Sequence, residues 1–87
     1  MIGYEPIIEE MALPETVEAN IMATVAMFKS NKGFISLNCL FPYQDVELLG
    51  RFKANWIVRP DDEIFVQWEF RGTYLNREIF LYGQGTI

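Results

Sequence analysis

Hydrophobic positions in the first third of the chain repeat with the period of an α-helix. Pro14 suits the first turn of a helix, where its missing N–H needs no partner, and Gly33 suits the position just after a helix end. The apolar stripe between them, with the small or flexible residues that widen it, consists of Val17, Ile21, Val25 and Phe28 with Ala19, Met22, Ala23 and Ala26. The pattern predicts a helix over residues 14–31, preceded by an irregular or short extended arm over residues 1–13.

After Gly33 the period of the pattern changes from 3.6 to 2, which is typical of half-buried strands. The alternating segments are residues 35–41, 46–58, 64–70 and 74–87, the first broken at Pro42 to Asp45 and the last preceded by a turn at Gly72 or at Asn76 and Arg77. The sequence therefore predicts a single α+β domain over residues 1–87. In it, one helix packs on an antiparallel β-meander of about four strands within residues 33–87.

The hairpin between residues 51 and 71 has a register that can be derived. Directly opposed residues share a face of the sheet, so their numbers differ by an even count. A loop of Pro60, Asp61 and Asp62 meets this condition, because Pro fixes φ and Asp tolerates the left-handed region. The inward pairs are then Val58/Ile64, Trp56/Val66, Ala54/Trp68 and Phe52/Phe70, and the outward pairs are Arg59/Glu63, Ile57/Phe65, Asn55/Gln67 and Lys53/Glu69, with Arg51 facing Arg71 beyond them.

The outward side of this sheet carries apolar residues that one helix cannot cover. The interface candidates are Leu49, Ile57, Phe65, either Phe80 or Ile79, and Tyr82. A contiguous exposed apolar patch marks an interaction surface, and a two-fold copy of the same chain is the simplest partner for it. We expect a homodimer or higher oligomer. The alternative is that the apolar arm over residues 1–13 folds back over the same face.

Composition indicates a folded, soluble protein. Hydrophobic residues make up 51% of the chain and aromatic residues 15%, which excludes a disordered segment. The longest uncharged stretches, residues 19–28 and 33–44, are shorter than the roughly 20 residues that span a bilayer, so no membrane association is expected. The lone cysteine, Cys39, cannot form an internal disulfide, which favours a reducing, cytoplasmic location.

Negative charge is concentrated at the start of the chain. The net charge is −5, and residues 1–28 contain Glu but neither Lys nor Arg. Because the chain has no basic stripe, nucleic-acid binding lacks its electrostatic driving force and is not expected. One alternative function is therefore an acidic interaction or inhibitor protein that uses residues 1–18 against a basic partner protein. The simpler interpretation of these charges is a solubilising surface.

The sequence offers little for catalysis. It contains no histidine, which removes the commonest general base and the commonest metal ligand. Cys39 falls on the inward face of its strand, where a small core residue is expected rather than a nucleophile. Neither a metal-ligand cluster nor a phosphate-binding glycine motif is present. We therefore expect no metal, no cofactor and no enzymatic activity.

One segment resembles a known family. The helix, the strands and the turn Val58-Arg59-Pro60-Asp61-Asp62-Glu63-Ile64 resemble hotdog-fold acyl dehydratases and thioesterases, in which a Pro-Gly-Asp turn precedes a long strand and the sheet wraps the helix. Asp61 replaces the glycine of that turn. Val17-Glu18-Ala19 is similar to the helix segment that carries a catalytic Glu in the dehydratases, with Glu18 at that position. The resemblance covers roughly residues 14–87.

The resemblance has a limited functional consequence. It implies a hotdog-like protein that binds an acyl or aromatic ligand. Dehydratase activity is not expected, because the chain has no histidine and its pattern shows neither an N-terminal strand nor a full set of later strands. The function that the sequence favours is a small, soluble, non-enzymatic binding or assembly module that forms a homo-oligomer.

Overall fold

The computed structural model describes residues 4–87 of the chain. Its elements are β1 (Ile7–Glu10), α1 (Glu15–Phe28), β2 (Lys32–Tyr43), β3 (Val46–Val58), β4 (Ile64–Tyr74) and β5 (Arg77–Thr86). The strands form one five-stranded sheet in the order β1-β5-β4-β3-β2. Neighbouring strands are antiparallel except β1, which runs parallel to β5. The predicted α+β class, with a helix on a mostly antiparallel sheet, is confirmed.

The first strand corrects the predicted count of about four strands. The sequence predicts an irregular or short extended arm over residues 1–13, and the extended segment Ile7–Glu10 pairs with β5 as a fifth strand. Four residues are too few to display a clear alternation, and the partner strand lies at the other end of the chain. Instead of folding back over the outer face, the arm sends Ile7, Met11 and Leu13 against the core. Residues 1–3 of the predicted arm lie outside the described part of the chain.

The helix is shorter than predicted. It begins after Pro14, as expected, but ends at Phe28 rather than at residue 31. Lys29 takes the left-handed conformation, with φ 52°, and its N–H donates to the carbonyl of Val25 at 2.9 Å. The helix is therefore capped by Lys29, and Gly33 instead lies inside β2.

The helix also uses a narrower face than predicted. Val17, Ile21 and Val25 pack towards the sheet, and Ile21 is only 1% exposed. Phe28 is 70% exposed and borders a cleft together with Gly33 and Phe34 of β2, an edge strand of the sheet. The residues expected to widen the stripe are exposed on the opposite side of the helix: Ala19, Met22, Ala23 and Ala26.

The strands continue through two predicted breaks. β2 runs through Pro42 to Tyr43, because an edge strand tolerates a proline whose missing N–H faces away from the sheet. The turn that follows contains Gln44, with φ 51°. The last hairpin turns at Leu75 and Asn76, both with positive φ, as a two-residue type I′ turn requires. The predicted turn at Asn76 and Arg77 is thus one residue off, and Gly72 lies within β4.

The derived register of the β3–β4 hairpin is confirmed. Every predicted pair from Phe52/Phe70 to Val58/Ile64 is present, and Arg51 faces Arg71. In the loop, Asp62 has φ 67°, and the Arg59 N–H donates to the Glu63 carbonyl at 2.8 Å. The inward side chains form one core in which the ring of Phe41 stacks on that of Phe70, with centroids 4.7 Å apart.

Candidate functional site

The outer face of the sheet places the predicted interface residues as follows. Leu49 is 71% exposed and Ile57 is 56% exposed, while Phe65 is half-buried. Of the two alternatives on β5, Ile79 is buried in the core, so Phe80 is the outward residue. Phe80 and Tyr82 stack with their ring centroids 5.5 Å apart.

These residues do not form the single contiguous patch that the sequence predicts. Ile57 lies opposite Phe65 at one end of the face, and Leu49 lies opposite Leu40 at the other. The register of β5 places Phe80 opposite Arg71, away from Phe65. A polar pair, in which the Gln67 amide donates to Gln84 at 3.2 Å, separates the two aromatic positions. The apolar residues therefore form separate clusters around a polar centre.

This polar centre is a shallow groove of about 360 Å³. Aromatic walls and a polar or charged floor line it: Phe34, Phe80 and Tyr82 above Lys53, Asn55, Gln67 and Glu69. The Arg71 guanidinium contacts Glu69 at 3.3 Å and lies 4.6 Å from the centroid of the Phe80 ring. Arg51 instead donates to the Ser36 hydroxyl at 3.3 Å. The two facing arginines thus each have a separate partner, so neither requires a bridging anion.

The second exposed feature is the free edge of β2, which has no strand on its far side among residues 4–87. In an antiparallel ladder, successive residues direct their backbone N–H and C=O alternately towards and away from the neighbour. The Val58 N–H donates to the Asn31 carbonyl, so odd-numbered residues face β3. The groups that face away belong to the even-numbered residues Lys32, Phe34, Ser36, Asn38, Leu40 and Pro42.

Both ends of this edge are already blocked. The Ser30 hydroxyl donates to the Lys32 carbonyl at 2.8 Å, and the Lys32 N–H approaches the same hydroxyl at 3.5 Å. At the other end Pro42 has no N–H to offer. The open part of the edge therefore runs from Phe34 to Leu40.

The sequence does not predict this edge, although Pro42 is one signal of it, because prolines within sheets are largely confined to edge strands. The stretch of residues 33–44 has no charged residue, and a proline lies near its end. Natural edge strands commonly carry charges or prolines that discourage pairing, so an edge without charges is open to pairing with another chain. The strand order, which makes β2 an edge, cannot be derived from the local pattern.

The acidic residues at the start of the chain do not share one surface. Alternation along β1 places Glu9 opposite the inward Leu81 and Glu10 opposite the outward Tyr82. The Tyr43 hydroxyl donates to Glu9 Oε1 at 2.9 Å, which joins the two edge strands β1 and β2. Burial, followed by the hydrogen bond to Glu9, raises the pKa of Tyr43. Glu9 thus has a structural partner within the fold.

The residues considered for catalysis lie apart. Cys39 packs against the core, and burial raises the pKa of its thiol, which disfavours the reactive thiolate. Glu18 borders a cavity of about 170 Å³ together with Val66 and Trp68. It is the one ionisable side chain among the described residues that line this cavity. No group of three or more potential metal ligands occurs among residues 4–87.

Two further findings bear on function. The helix of the described chain lacks the length and apolar character needed to cross a membrane. Comparison with models of protein families, with curated proteins and with solved structures finds no match. Function must therefore be inferred from the surfaces themselves.

Proposed function

We propose that the protein is a non-enzymatic assembly module that works as a homo-oligomer. The observation that carries this proposal is the free edge of β2, a strand of 12 residues. The open part of this edge, from Phe34 to Leu40, is a template for pairing with another chain. A small domain buries only part of its surface when it folds. It therefore has few residues left with which to cover such a strand.

The side chains along this edge support the proposal. Phe34 is 64% exposed, Leu40 is 58% exposed and Leu37 is 41% exposed. Phe28 extends the same apolar region from the end of the helix. Exposed apolar side chains along a strand with open backbone groups combine two sources of association, burial of apolar area and new hydrogen bonds.

Sedimentation velocity over a wide concentration range tests the proposal. The expected result is a species of at least twice the 10.1 kDa chain mass. A 10.1 kDa species at every concentration would reject assembly as the function. The variant Phe65→Lys tests the outer face separately. If this variant does not assemble, the contact lies among the outer-face residues rather than on the edge.

A second candidate, ligand binding, is favoured by one cleft. It measures about 270 Å³ and lies between the end of the helix and β2, with a mostly apolar lining that includes Val25, Phe28 and Trp56. The cleft would suit an acyl chain or an aromatic ring, the ligand class implied by the hotdog resemblance. Titration with decanoate should quench the fluorescence of Trp56, and Phe28→Ser should weaken that response while Phe80→Ser leaves it intact. An unchanged spectrum would exclude this candidate.

A further inference from the structure

We infer that the occupant of the free edge is a second copy of this chain, whose β2 pairs antiparallel with the first around a two-fold axis at Leu37. The inference rests on the proposed function and adds the partner, the strand and the register. It follows from which backbone groups are open, which are blocked and which side chains are exposed along residues 32–42.

The blocked groups select the register. With the axis at Leu37, Phe34 lies opposite Leu40 of the second copy and Ser36 lies opposite Asn38. All the open N–H and C=O groups then pair, two hydrogen bonds for each facing pair. The next pair outward would join Lys32, already bonded to Ser30, to Pro42, which lacks an N–H. The ladder therefore ends where both strands are blocked.

Neighbouring registers are less favourable. An axis at Ser36 places Leu40 opposite Lys32, whose N–H and C=O are already engaged by Ser30. An axis at Asn38 places Phe34 opposite Pro42, which leaves the Phe34 carbonyl without a donor. A backbone group that is buried without a partner destabilises the dimer. The axis at Leu37 avoids this destabilisation at both ends.

Side chains are complementary in the same register. On the outer face, Phe34 meets Leu40 of the second copy, and Ser36 meets Asn38, so apolar contacts apolar and polar contacts polar. On the inner face, Leu37 meets its own copy, and Ile35 meets Cys39. Residues 33–44 carry no charge, so no like charges within this stretch face each other across the axis.

A designed disulfide tests the register. Leu37 directs its backbone groups towards β3, so the Leu37 pair is a non-hydrogen-bonded pair with Cα atoms about 4.5 Å apart, within the range of a disulfide. Mild oxidation should convert Leu37→Cys to a covalent dimer on non-reducing gels. The control Leu40→Cys should stay monomeric on the same gel, as should the native chain with Cys39, because neither residue meets its own copy. A dimer from Leu40→Cys and none from Leu37→Cys would overturn the register.

An edge-blocking variant tests the surface. Ser36→Pro removes an N–H that points away from β3, so the fold should persist by circular dichroism while the dissociation constant rises at least about tenfold, equivalent to about 1.4 kcal/mol. Native-strength assembly by folded Ser36→Pro, with no cross-link at Leu37→Cys, would overturn the edge contact and leave assembly itself standing. A native chain that remains monomeric would instead reject the proposed function. If Ser36→Pro does not fold, the Leu37→Cys result decides alone.

Discussion

Gly33 contacts the indole ring of Trp56 so closely that a Cβ atom there would overlap its Cε2 and Cζ2 atoms. We expect Gly33→Ala to lower the free energy of unfolding by about 1–3 kcal/mol, because the ring must move within a packed core. Gly85→Ala is the matched control, since a Cβ at Gly85 meets nothing within 4 Å. Urea denaturation followed by tryptophan fluorescence measures both variants. Equal stability of the two would show that the Gly33 contact is not tight.

Tyr43 gives the fold a dependence on alkaline pH. Its pKa is raised above the ordinary value of 10.0, first by burial and then by the hydrogen bond to Glu9. The unfolded chain therefore loses this proton first as the pH rises, so the stabilisation is complete below about pH 10 and is lost above it. We expect Tyr43→Phe to be less stable by about 1–2 kcal/mol at neutral pH.

The difference in stability between the native chain and Tyr43→Phe should shrink as the pH rises above about 10. Tyr82→Phe is the control, because Tyr82 lies exposed on the outer face and its hydroxyl has no comparable role. Thermal unfolding in a series of buffers measures the effect. A difference that stays constant through the alkaline range would contradict the role assigned to the Tyr43 hydroxyl.

At the scale of elements, the helix binds the sheet through a single row of side chains. Ile21 is buried beneath it, whereas Met27 is exposed. We expect Ile21→Ala to cost about 2–5 kcal/mol of unfolding free energy and Met27→Ala to stay within about 0.5 kcal/mol of the native value. Chemical denaturation measures the free energy of unfolding of both variants. A large loss at Met27 would mean that the helix packs with its other face.

The sequence predicts elements well where several local requirements coincide. In the β3–β4 hairpin, the alternation, the loop residues and the charge pairs all favour one register, and the structure has it. The sequence does not predict where the helix ends, because Lys29 adopts a left-handed conformation. A lysine side chain gives no indication of that conformation. The sequence pattern does not predict β1 as a strand for a related reason. Its four residues are ordered by β5, a contact that no local pattern contains.

At the scale of the whole molecule, the candidate site depends on strand order. The sequence places the outward residues correctly on one face, including Ile57 opposite Phe65. It does not determine that β5 shifts Phe80 next to Arg71, which divides the expected patch, nor that β2 lies at the edge. Both properties come from long-range pairing. We therefore propose the free edge of β2 as the site of assembly, in place of the outer face that the sequence predicts.

Hydrogen exchange at individual amides tests most directly whether the chain assembles through that edge. The even-numbered amides of Phe34, Ser36, Asn38 and Leu40 face away from β3, so they exchange fast in a monomer. We expect their protection to rise with protein concentration, in step with the mass measured by sedimentation, while the odd-numbered amides that face β3 stay protected throughout. Fast exchange at these four amides in a fully assembled sample would contradict assembly through β2.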